Sequence, residues 1–66
     1  MKADRLKLVV EMAKKKTTSK MLVKTTGLSH ATISRMRAGA CVTYDSVQKV
    51  ARALSVEPTY LIDRND

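Results

Sequence analysis

Sixty-six residues hold thirteen Lys or Arg against six Asp or Glu, with two Tyr, no Trp, no Phe and one cysteine. So short a chain buries only about 60% of the surface its unfolded form exposes, which excludes a substrate domain or a large ligand cavity. Cys41 alone cannot close an intrachain disulfide. A core limited to Leu, Val, Ile, Met and Ala favours a helical bundle over a sheet, where aromatic and β-branched residues concentrate.

In chain order, Asp4 to about Lys15 predicts a first helix. Leu6, Val9, Val10 and Ala13 follow the i, i+3, i+4, i+7 pattern of an apolar face, with Leu8 and Met12 widening it. Asp4 at its start and Lys14, Lys15 and Lys16 at its end suit the helix dipole. The three lysines read equally as a helix-end charge cluster or as a polyanion contact. Thr17, Thr18 and Ser19 punctuate: β-branched threonines weaken helix continuation, and each hydroxyl can cap the next helix. A second helix is expected from about Ser19 to Thr26, ended by Gly27 in the left-handed conformation.

Ser29 is expected to cap a third helix over about 30–38, placing His30, Ala31 and Thr32 in its first turn and leaving Ile33 and Met36 as its apolar positions. Gly39 ends it as Gly27 ends the second. After a loop capped by Thr43 or Asp45, Val47, Val50, Ala51 and Leu54 give the face of a fourth helix, about 45–54. Pro58 suits the first turn of a short fifth helix, 58–62, in which Tyr60, Leu61 and Ile62 would close the core. Asp63 to Asp66 reads as a frayed tail. The expected class is all-α, one compact five-helix domain over 1–66.

The charge is one-sided. Residues 1–40 hold ten Lys or Arg against Asp4 and Glu11; residues 41–66 hold three against four acids. Such a basic patch is the footprint of a polyanion binder, the alternative being a solvated face kept for solubility. Within it, Ser19 to Ala38 consists of two short amphipathic segments meeting at Gly27, the composition of a helix-turn-helix. No acid pair, Gly-rich phosphate loop or metal-ligand cluster is present, so no catalytic residue, metal or cofactor is assigned. Cys41 reads as a small buried or half-buried apolar residue. MKADRLKLVV lacks a long apolar run, and the expected location is the soluble, reducing cytoplasm. The charges of the first helix do not segregate cleanly from its apolar face, which argues against a membrane surface.

The order and punctuation of these segments resemble the phage Cro/repressor, or XRE-type, family of helix-turn-helix regulators. The matching residues are Leu22, Gly27, Leu28, Ser29, Ile33, Ser34, Met36 and Gly39, then Val47, Val50, Ala51, Leu54, Val56, Leu61 and Ile62, in a span of about 5–62. The run VARALSVEPTYLI looks very like the family's closing stretch. The resemblance implies that the third helix enters the major groove of double-stranded DNA, with Ser29, His30, Ala31 and Arg35 reading bases. Arg35 suits a bidentate pair with guanine O6 and N7, or a phosphate clamp. His30 can donate to guanine or stand as an exposed helix-start residue, and Ala31 can meet a thymine methyl.

The same resemblance implies phosphate contacts from Ser19, Lys20, Lys24, Thr32, Ser34 and Arg37. It also implies a homodimer, formed in solution or only on DNA, through Val56, Glu57, Pro58 and Tyr60 on a pseudo-palindromic operator. No small-molecule ligand or membrane partner is expected.

Three departures from the family pattern stand out. Ser19 replaces the usual Gln at the start of the second helix, and Val23 a smaller residue. Arg37 stands where many members carry Glu, so Glu11 on the first helix is a candidate partner for it. The expected function is a Cro-like repressor from a phage or mobile element that occupies its operator. The alternative is a protein-interaction module, such as an antitoxin or antirepressor component.

Overall fold

In the computed structural model, which describes residues 2–63, five helices follow one another: α1 Arg5–Lys14, α2 Ser19–Thr26, α3 His30–Arg37, α4 Tyr44–Ala53 and α5 Pro58–Leu61. The architecture is all-α, as expected. Among the described residues, β pairing is confined to isolated bridges between Lys2 and Cys41 and between Ala3 and Ile62.

Side-chain caps start four of the helices. The Asp4 carboxylate accepts from the amides of Leu6 and Lys7 at 3.1 and 3.2 Å. Thr18 accepts from Met21 N–H, Ser29 from Thr32 N–H and Thr43 from Ser46 N–H, each at 3.2 Å. Thr43 rather than Asp45 is therefore the cap of α4. Each such bond satisfies an amide that the helix itself leaves without a partner.

Three helices end alike. After α3, Gly39 takes φ 78°, its N–H bonds Met36 O at 3.2 Å, and Ala40 N–H bonds Arg35 O at 2.9 Å. This is the Schellman pattern, which turns the chain and satisfies two terminal carbonyls. Lys16, φ 51°, plays the glycine's part after α1, and Ser55, φ 58°, plays it after α4. The matching bonds are Thr17 N–H to Met12 O at 2.8 Å and Val56 N–H to Ala51 O at 2.9 Å. Gly27, φ 76°, closes α2 with a single bond to Val23 O.

The core comprises Leu8, Met12, Leu22, Ile33, Met36, Val47, Val50, Ala51, Leu54 and Leu61, with Ala3 added from the N-terminal arm. α2 packs on α3 and α4, α1 on α3 and α5, and α4 on α5. The buried face of α1 differs from the expected one: Leu8, Glu11 and Met12 are inside, while Leu6 is 72% exposed and Val9 and Val10 are 43% and 46% exposed. The helix has two apolar stripes, and its neighbours select the one that contains a carboxylate. Glu11 is tolerated there because Lys14 and Lys15 reach it at 3.5 and 3.8 Å.

Three further expectations are corrected. Cys41 is exposed, because its backbone pairs with Lys2 at the rim rather than entering the core. Tyr60 does not close the core. Its ring is 39% exposed and lies 4.8 Å from Lys7 Nζ, and Leu61 fills the core position. Asp63 is tied down by its N–H to Lys2 O at 2.9 Å. The remainder of the expected frayed tail, residues 64–66, lies outside the described residues.

Candidate nucleic-acid interface

α3 turns Ile33 and Met36 inward, which leaves His30, Ala31, Ser34, Arg35 and Arg37 exposed. The Ser29 hydroxyl caps the helix and lies 2.9 Å from Thr32 Oγ1, so these two side chains fix the first turn. His30 Nδ1 stands 3.5 Å from Ser34 Oγ, one turn along the same outer surface. Arg35 borders an open cleft of about 270 Å³ formed with Thr32, Cys41, Val42, Thr43 and Ser46. Arg35 thus stands where the exposed face of α3 meets the loop before α4.

α2 meets this surface at its N-terminus. Arg37 Nη1 donates to Ser19 Oγ at 2.6 Å, joining the last turn of α3 to the first residue of α2. The candidate pairing of Glu11 with Arg37 is not formed, since Glu11 is held by Lys14 and Lys15. Lys20 and Lys24 are exposed and four residues apart, so they lie on one outer face of α2.

The electrostatics of the surface follow from the sequence between Glu11 and Asp45. That interval contains Lys14, Lys15, Lys16, Lys20, Lys24, Arg35 and Arg37 and no Asp or Glu. Among the described residues, Lys20, Lys24, Arg35 and Arg37 make no ion pair, whereas Asp45 on α4 takes Lys49 at 3.2 Å. Exposed amides, hydroxyls and unneutralised cations on two adjoining helices form a surface complementary to a phosphate backbone.

A family model of the Cro/C1-type HTH DNA-binding domain matches residues 7–66. The chain belongs to this family. It is therefore a DNA-binding domain of the Cro/C1 type, and the resemblance read from Gly27, Ser29, Ile33 and Gly39 is correct. No curated protein and no solved structure matches the chain.

For this Cro/C1-type chain, three of the residues expected to read bases, His30, Ala31 and Arg35, are exposed on α3. Ser29 is instead its N-cap, in register with the buried Ile33 and Met36 and engaged with Thr32. The expected phosphate residues form two groups: Ser19, Lys20, Lys24 and Arg37 around α2, and Thr32 and Ser34 on α3. Thr32 is half-buried and engaged with Ser29. The four residues expected at a dimer surface lie around the start of α5, where Tyr60 N–H bonds Glu57 O at 3.0 Å. Val56 and Pro58 border a shallow cleft with Gln48 and Arg52, whereas Tyr60 lies against Lys7 of α1. Sequence reasoning missed the Ser19–Arg37 bond, for which the unusual residue types at both positions were a joint signal. Among the described residues no group of His, Cys, Asp and Glu could hold a metal ion, and no helix is long and apolar enough to cross a membrane.

Proposed function

We propose that the chain acts as a single sequence-specific DNA-binding domain and represses transcription by occupying an operator. The observation that carries this reading is the acid-free outer surface of α3 and α2, pinned together by Arg37 and Ser19. With α3 in the major groove, Ser29, His30, Ala31 and Arg35 are the base readers, and Arg35 forms the bidentate contact to guanine. Ser19, Lys20, Lys24, Thr32, Ser34 and Arg37 contact phosphates and set the register of α3 in the groove. The first amides of α2 are left without intrahelical partners and add to the anion site beside Arg37.

One such module covers few base pairs. Two copies on a pseudo-palindrome about one helical turn apart are the arrangement we assign, paired through the Val56 to Tyr60 region. Output by occupancy needs neither cofactor nor catalysis, and the site of action is the bacterial cytoplasm or a phage-infected cell. The test is selection of bound duplexes from a random pool, followed by titration of the winner and of random DNA against salt. Repression through an operator requires an enriched motif with two-fold symmetry and a steep loss of affinity with salt. A pool that remains random after selection refutes this reading.

A further inference from the structure

The outward face of α1 has no role in the DNA interface. Leu6 and Val10 are one i, i+4 pair, Val9 and Ala13 another, and all four side chains are exposed on the side of the helix opposite Leu8 and Met12. From the other side of Val9 and Ala13 an open cleft of about 310 Å³ reaches Thr17 and Arg37. One border is cationic, with Lys7 and Lys14 along it, whereas toward the other Arg5 and Leu6 share a cleft with Asp4 and Asp63. The one carboxylate within α1, Glu11, is buried and already engaged by Lys14 and Lys15.

We propose that this face docks an acidic amphipathic helix of another protein, with apolar side chains on Leu6, Val9, Val10 and Ala13 and carboxylates along the Lys7 and Lys14 edge. Charge complementarity selects this occupant. A second copy laid on the same face would oppose cations with cations. The stripe spans about 10 Å from Leu6 to Ala13 at 1.5 Å per residue. A helix of two or three turns matches that length, and helix-on-helix docking through i, i+3 and i+4 anchors is a common recognition mode. An anionic membrane surface is disfavoured because the stripe is small and contains no aromatic residue, while interfacial binding scales with buried apolar area.

The test uses the full chain, labelled with nitrogen-15, and a synthetic peptide with Leu on one helical face and Glu along the border that meets Lys7 and Lys14. A scrambled peptide of the same composition is the control. The patterned peptide should bind roughly tenfold tighter than the scrambled one, with shifts centred on Leu6, Val9, Val10 and Ala13. The double variant Leu6→Gln, Val10→Gln should lose that advantage while keeping its melting temperature and its affinity for duplex DNA. Equal binding of the two peptides, or shifts centred on α3, overturns the proposal. So does self-association that the double variant abolishes, which would make the occupant a second copy. Binding to phosphatidylglycerol vesicles in place of the patterned peptide also overturns it. DNA binding is measured on the same samples, so failure here is distinct from failure of the operator reading.

Discussion

Arg37 Nη1 donates to Ser19 Oγ at 2.6 Å, and this contact joins two helices through side chains eighteen residues apart in sequence. It places a guanidinium at the start of α2, so one residue ties α3 to α2 and leaves a positive charge there, which the proposed function directs at a phosphate. Arg37→Ala should weaken binding to operator and random duplex alike and reduce the salt slope by about one unit. Ser19→Ala should have a smaller effect of the same kind, because the guanidinium remains but is less fixed. A double-mutant cycle on folding stability should give a coupling of about 0.5–1 kcal/mol for Ser19 with Arg37. The cycle for Glu11 with Arg37 should give none. The reverse pattern would return Arg37 to the first helix and remove it from the phosphate surface.

Arg35 separates reading from gripping. Located between the outer face of α3 and the cleft before α4, it can reach a base edge or the backbone beside it. The base-reading assignment requires that Arg35→Ala cost about 1–3 kcal/mol on the operator and relax preference at one base pair. Quantitative binding to operators substituted singly at each position measures both quantities. A uniform loss on every sequence would make Arg35 a phosphate clamp.

α1 supplies a stability test that needs no DNA. Leu8 is fully buried and Leu6 is 72% exposed, though the two lie two residues apart on the same helix. Leu8→Ala should cost about 2–5 kcal/mol, a large share of the stability of so small a fold. Leu6→Ala should stay within roughly 0.5 kcal/mol. Urea denaturation of both variants decides the matter, and similar losses would mean that α1 packs through its other stripe.

These residues show what could be read from the chain and what could not. Gly27, Ser29, Gly39 and Pro58 act through backbone conformation or local capping, so their roles follow from residue type and the turn or helix end was legible. Val47, Val50, Ala51 and Leu54 form the one apolar stripe of α4, and all four are buried. α1 offered two stripes, and the choice depends on where α3 and α5 lie, which no local pattern encodes. The termini were illegible for a similar reason: Ala3 is buried because Asp4 N–H bonds Leu61 O at 2.6 Å, a pairing between distant ends. At the proposed DNA surface, the cations and hydroxyls were named from the family resemblance, but the bond from Arg37 to Ser19 needed the crossing of two helices. Thr18 is the cap of α2 for a local reason that three consecutive hydroxyl residues, Thr17, Thr18 and Ser19, left undecided.

Ser55 offers the converse of a destabilising test. Its φ of 58° is the left-handed conformation that turns the chain after α4, and the bonds from Ser55 N–H to Arg52 O and from Val56 N–H to Ala51 O hold it there. An L side chain in this region costs on the order of 1 kcal/mol relative to glycine. The exposed Ser55 side chain makes no hydrogen bond among the described residues to offset that cost. Ser55→Gly therefore relieves backbone strain, partly countered by the greater freedom of glycine in the unfolded chain. The net gain should be at most about 0.6 kcal/mol, raising the melting temperature by up to roughly 5 °C for a domain of this size. Ser55 lies outside the DNA surface proposed on α2 and α3, so affinity for duplex should not change. Thermal unfolding with Gly39→Ala as the opposite control completes the argument. Gly39 occupies the equivalent position at φ 78°, and alanine there should destabilise by a similar amount. A Ser55→Gly variant less stable than the parent would mean that the serine side chain contributes more than its backbone strain removes.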